Sequence, residues 1–102
     1  MKNGMEQDWR YDQLRSARDP NWRKERFQPQ DALVYRTGMS CRYHGQPFSS
    51  QAAEIRKGGW DHEHCLGCQA KIGAGAEGCS EAYVNRHEEW ICPQCYQDFF
   101  AE

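Results

Sequence analysis

Cys65-Leu66-Gly67-Cys68 and Cys92-Pro93-Gln94-Cys95 are two C-x2-C pairs separated by 23 residues. Two cysteines at that spacing let one tight turn present both sulfurs to a single ion, and a second pair completes a tetrahedron of thiolates around it. Gly67 suits the tight turn of the first pair. Pro93 suits the first turn of a helix, where its missing N–H costs nothing. A helix starting there would also turn positive potential and free N–H groups towards Cys92 and Cys95, favouring their thiolate forms. The chemistry indicated is one structural Zn2+ held by Cys65, Cys68, Cys92 and Cys95.

Further potential ligands lie upstream and between the pairs. Cys41-Arg42-Tyr43-His44 is a C-x2-H unit, and His62, His64, Cys79 and His87 are scattered around the C-x2-C pairs. Cys41, His44, His62 and Cys65 have the spacing of the first site of a LIM domain. The second site of that pattern would need Cys68, position 71, Cys92 and Cys95, and position 71 is Lys71. The pattern therefore fails at one ligand, and both C-x2-C units stay intact. Cys41 and Cys79 are expected to pack as ordinary small residues. His62 and His64 are expected to be hydrogen-bonded strand histidines rather than ligands, and His87 a solvated turn residue.

The elements that must carry these residues are legible in part. Glu81–Asn85 and Glu89–Cys92 read as two strands joined by a turn at Arg86-His87-Glu88. A last helix opens at Cys92, with Tyr96, Phe99 and Phe100 at i, i+3 and i+4. Residues 31–37 read as a strand, and residues 51–57 fit a helix or a strand equally. In the N-terminal segment, residues 6–18 read as a short polar helix. Asp19-Pro20 reads as the N-cap and first position of another, running to about Phe27.

Knuckle, hairpin and helix together resemble the treble-clef and zinc-ribbon families over residues 62–101. The resemblance implies a structural zinc with a closed set of four ligands, and it leaves the partner open. Trp60–Cys68 (WDHEHCLGC) with Glu81–Phe99 (EAYVNRHEEWICPQCYQDF) also resembles a group of small bacterial zinc-site proteins, some linked to toxin–immunity systems. That likeness implies a protein partner, such as a toxin or a nucleic-acid enzyme.

Composition bounds the rest. Leu, Ile and Val number eight among 102 residues, against thirteen aromatics, so the core leans on rings and a metal staple compensates for scarce aliphatic burial. The expectation is a small α+β fold in one domain over 1–102. It would comprise a basic, mainly helical segment at 1–30 and a zinc module at 60–102. Mean hydropathy is -1.05, and no apolar run is long enough to span a membrane or act as a signal region. A cytoplasmic setting is expected, where cysteines serve metal rather than disulfides.

The net charge of -2 hides an asymmetry. Residues 1–60 carry eleven Lys/Arg against seven Asp/Glu, and residues 61–102 carry two against eight. The acidic zinc module is a poor partner for phosphate backbones. Arg10, Arg15, Arg18, Arg23, Lys24 and Arg26, interleaved with Trp9, Tyr11 and Trp22, form the one segment suited to nucleic acid, and four acids dilute it. No catalytic set is assembled. Trp90-Ile91-Cys92-Pro93-Gln94-Cys95 imitates a thioredoxin-type motif without the βαβ context that motif requires. The reading is thus a non-enzymatic interaction module for another protein, with no membrane and no small-molecule substrate. Trp9 and Trp22 are its interface candidates.

Overall fold

The structure, a computed structural model, describes residues 1–74 and 79–101. In chain order its elements are α1 (Tyr11–Arg15), β1 (Arg23–Arg26), β2 (Gln30–Tyr35), β3 (Ser40–Arg42), β4 (Ala53–Trp60), β5 (His62–His64), β6 (Lys71–Gly73), β7 (Glu81–Val84), β8 (Trp90–Ile91) and α2 (Pro93–Phe99). The protein is a small α+β fold dominated by strands. It divides into two units, Met1–Phe27 with His62–Glu102, and Gln28–Asp61.

The first unit carries both C-x2-C pairs. Its three-stranded antiparallel sheet has the order β1-β7-β8, with Arg23 opposite Val84, Arg26 opposite Glu81, and Tyr83 opposite Ile91. A two-stranded ribbon pairs β5 with β6, His62 facing Gly73 and His64 facing Lys71. The core joins Leu14, Phe27, Ile72, Ala82, Val84, Ile91 and Phe99 to the buried Cys65, Cys92 and Cys95. Aromatic edges supplement the scarce aliphatics: Phe27 meets the Trp90 ring edge-on at 5.6 Å, and Tyr83 stacks on Tyr96 at 3.7 Å.

The N-terminal segment departs from the helical expectation for 1–30. The helix expected over 6–18 shortens to Tyr11–Arg15, which has no side-chain N-cap and buries only Leu14. A five-residue helix with one anchor cannot extend without tertiary support. The helix expected from Pro20 to Phe27 is instead an Asx turn followed by β1. Asp19 Oδ1 accepts the Asn21 N–H at 2.8 Å, the local alternative to helix capping that aspartate offers. Asp19 Oδ2 also accepts from Arg86 Nε at 2.7 Å. The Asn21 N–H and then Arg86 hold the Asp19 carboxyl below its ordinary range. Pairing with β7 thus overrides a local start signal.

The hairpin between β7 and β8 turns on Asn85, which is fully buried. Its Oδ1 accepts the N–H groups of His87 and Glu89, while its Nδ2 donates to Glu89 Oε1 and to the Asp19 carbonyl. One side chain therefore closes the turn and ties it to the lead-in of β1, leaving no buried amide atom unpaired. Glu88 takes the left-handed conformation this turn requires, at φ 60°.

The second unit is a three-stranded antiparallel sheet of order β3-β2-β4. Residues 51–57, open between helix and strand in sequence, belong largely to β4. Ala53 pairs with Tyr35 and Ile55 with Leu33. Gly38, at φ 93°, makes the turn from β2 to β3, with its N–H donating to the Tyr35 carbonyl. Leu33, Ala32 and Ala53 are buried there.

Candidate metal centre

Each C-x2-C pair folds as a turn closed on its own sulfur. In the first, the Cys68 N–H points at Cys65 Sγ (3.5 Å), the Gln69 N–H donates to the Cys65 carbonyl (2.9 Å), and the Cys65 N–H donates to the Ala70 carbonyl (2.8 Å). Gln69, at φ 66°, supplies the left-handed residue that reverses the chain. Gly67 serves a different need from the one read in sequence. A Cβ there would stand 3.0 Å from Leu14 Cγ and 3.1 Å from Cys95 Sγ. Glycine is required for room against the core and the opposing sulfur.

In the second pair, Cys92 is the N-cap of α2, and its sulfur accepts the Cys95 N–H at 3.4 Å. Pro93 occupies the first turn, as its chemistry suggests. The Leu66 N–H donates to the Trp90 carbonyl at 2.8 Å, fixing the first turn against the strand that leads into the second.

The two turns bring Cys65, Cys68, Cys92 and Cys95 together, with their sulfurs all within 4.8 Å of one another. Cys68 Sγ and Cys92 Sγ are 3.6 Å apart. A tetrahedral zinc with Zn–S near 2.3 Å requires sulfur–sulfur edges of about 3.8 Å, so the donor set fits that ion in softness, number and spacing. The sulfurs are also electrostatically coupled. Donation from Cys92 and Cys95 pushes the Cys65 thiol far below its ordinary value. In return Cys92 is pushed up to about 11 and Cys95 is raised further, each chiefly through its bond to Cys65. Four negative sulfurs this close repel one another strongly. A divalent cation relieves that repulsion, and its binding releases the protons.

A basic side chain that sequence reasoning assigned elsewhere also reaches the cluster. Arg10 Nη1 lies 3.6 Å from Cys95 Sγ and 3.0 Å from Asp98 Oδ2. Its Nε and Nη2 bind Asp8 at 3.0 and 2.9 Å, and its guanidinium lies 4.7 Å from the Phe99 ring centroid. Its side chain is only 14% exposed. Bonding to Asp8 raises the Arg10 pKa further, and Arg10 in turn lowers Asp8 to about 2. The one signal in sequence was the short D-x-R spacing of Asp8 and Arg10. The contact with Cys95 spans 85 residues and has no local signature.

The remaining ligand candidates stay apart. Among the described residues, Cys65, Cys68, Cys92 and Cys95 form the one group of three or more potential metal ligands. Cys41 lies in β3, where its sulfur accepts from Gln46 Nε2, and His44 is exposed. His62 and His64 are on β5, their rings perpendicular at 5.0 Å, and His64 Nδ1 is 3.1 Å from the Gln69 carbonyl. Cys79 Sγ faces the Lys71 carbonyl at 3.8 Å, and burial raises its thiol pKa. Of the two interface candidates, Trp9 is 72% exposed, whereas Trp22 packs on Phe100 at 5.4 Å. No helix among the described residues is long and apolar enough to cross a membrane.

No protein family, curated protein or solved structure significantly matches the chain.

Proposed function

We propose that this chain is a non-enzymatic protein-interaction module whose C-terminal part is a treble-clef-like unit stapled by one structural zinc. The observation that carries the reading is the closed character of the site. Four cysteine sulfurs lie within 4.8 Å of one another, three of them on buried residues, and together they would fill every position of a tetrahedral zinc, leaving none for a substrate or an activated water. The zinc would replace the aliphatic core that the composition lacks, and chelation would unfold residues 60–102.

The partner is proposed to be another protein with a basic surface, the chain acting as an immunity or inhibitor protein. The acid excess of residues 61–102 would speed encounter with such a surface, and the exposed Trp9 offers the kind of aromatic anchor that dominates interfaces. The alternative, nucleic-acid binding through the basic N-terminal segment, is weakened by how those cations are used. Arg10 is turned inward to Cys95, while Arg15, Arg23 and Arg26 are paired with Asp12, Glu25 and Glu81.

The test is affinity capture from the native cell with zinc retained, followed by binding assays with the purified partner. A protein partner bound by the zinc-loaded chain, and bound about tenfold or more weakly by Trp9→Ala, supports the reading. Salt-sensitive binding of a random oligonucleotide, with no protein partner, would overturn it in favour of the alternative.

A further inference from the structure

The four sulfurs are not equivalent. Three of them face an N–H donor: Cys65 Sγ faces the Cys68 backbone, Cys92 Sγ the Cys95 backbone, and Cys95 Sγ the Arg10 guanidinium. Cys68 Sγ has no such donor among the described residues, and its near neighbour is Cys92 Sγ at 3.6 Å. Cys68 is also the half-buried member of the set, whereas Cys65, Cys92 and Cys95 are 0%, 6% and 0% exposed. An N–H donor draws electron density from a thiolate and occupies one of its lone-pair directions. Burial then blocks the remaining approach. Both effects spare the same sulfur.

We propose that Cys68 is the electrophile- and peroxide-sensitive site of the zinc-loaded cluster, with Cys92 as its resolving partner. This rests on the zinc reading above. The Cys68 thiolate attacks a peroxide oxygen. An S–O bond forms, the O–O bond breaks, hydroxide leaves, and Cys68 becomes a sulfenic acid. The Cys92 thiolate then attacks the Cys68 sulfur and expels a second hydroxide, leaving a Cys68–Cys92 disulfide. The two cysteines have given two electrons to the peroxide. Closing a 3.6 Å gap to the roughly 2.05 Å of an S–S bond needs only a small movement of neighbouring turns. Two sulfur ligands are lost together, so the staple is released. A dithiol reductant returns the two electrons by exchange and restores all four thiolates. The module is thereby coupled to peroxide through its one half-buried cysteine.

The test uses the full chain carrying Cys41→Ser and Cys79→Ser, two cysteines outside the cluster, with zinc content measured before any reagent is added. Sub-stoichiometric iodoacetamide followed by peptide mass mapping should place label on Cys68 at least about fivefold over each other cysteine. Even labelling, or first labelling of Cys65, Cys92 or Cys95, overturns the assignment. Hydrogen peroxide should produce a Cys68–Cys92 disulfide in step with zinc release to a chromophoric chelator, reversed by dithiothreitol and added zinc. A disulfide between any other pair overturns the resolving role. Cys68→His, which keeps four ligands, should release zinc about tenfold more slowly under peroxide, and an unchanged rate contradicts the proposal. Absence of zinc at the outset would sink the metal reading itself. One zinc with unselective labelling would sink only this inference.

Discussion

The Arg10 guanidinium stands 3.6 Å from Cys95 Sγ, although 85 residues separate the two in sequence. Asp8 and Asp98 hold it there from two sides, and the Phe99 ring lies beneath it. A tetrathiolate zinc site carries a net charge of about -2, and half-burying that charge is costly without a compensating cation. Arg10 supplies the compensation at Cys95, one of the two sulfurs that lack a backbone N–H donor among the described residues, and the two carboxylates fix its direction. Groups placed in this way around a metal site are worth about 10–100-fold in affinity. Arg10→Ala should therefore weaken zinc binding by about that factor in competition with a chromophoric chelator, with Arg10→Lys intermediate because a point charge cannot reproduce the fork. Equal affinity in all three proteins would mean that the guanidinium only fills space.

Acid acts on this arrangement in a definite order. Arg10 lowers the Asp8 carboxyl from 3.8 to about 2. A lowered carboxyl contributes its stability fully above its unfolded value of 3.8, and loses it only as the pH falls through about 2. The thiolates compete with protons at higher pH. Zinc should therefore leave in a proton-coupled step, and Asp8, with its carboxyl held down to about 2, should stay ionised well into the acid range. Asp8→Ala removes the main partner of Arg10 and should move the release midpoint upward. A downward or null shift, read by a zinc indicator across a pH series, would contradict the role given to the Asp8–Arg10 pair.

Gly67 makes a separate steric claim. Its missing Cβ would meet Leu14 Cγ and Cδ2 at 3.0 Å and Cys95 Sγ at 3.1 Å. Gly67→Ala should destabilise the zinc-loaded chain by about 1–3 kcal/mol through overpacking, measured by denaturant unfolding. Leu14→Ala opens the space that this methyl needs, so the double substitution should cost clearly less than the sum of the singles. Strict additivity would place the penalty in the backbone instead.

What the sequence disclosed follows from the range of each interaction. The C-x2-C turns, the β7–β8 hairpin and the start of α2 are local, and their signals lie in the cysteine spacing, Pro93 and the aromatic spacing of the last helix. The path from Pro20 to Phe27 is ambiguous in sequence because Asp19-Pro20 has the same chemistry at a helix start as in an Asx turn. Only the distant strand β7 decides between them. Strand character at His62 and His64 is legible in sequence, but the partner strand β6 is not, since three residues are too few for alternation to register. Asn85 reads in sequence as the last residue of a strand, and its bond to the Asp19 carbonyl crosses 66 positions. Arg10 is indistinguishable in sequence from the surface arginines around it, because net charge along a chain says nothing about which arginine turns inward.

One metal held by Cys65, Cys68, Cys92 and Cys95 is the central expectation, and elemental analysis of the purified full chain beside its single serine variants is its sharpest test. The expected result is one zinc per chain in the parent, in Cys41→Ser and in Cys79→Ser, with stoichiometric zinc abolished by Cys68→Ser or Cys95→Ser. Two zincs in the parent, loss of zinc on Cys41→Ser, or full retention in Cys95→Ser would contradict the account.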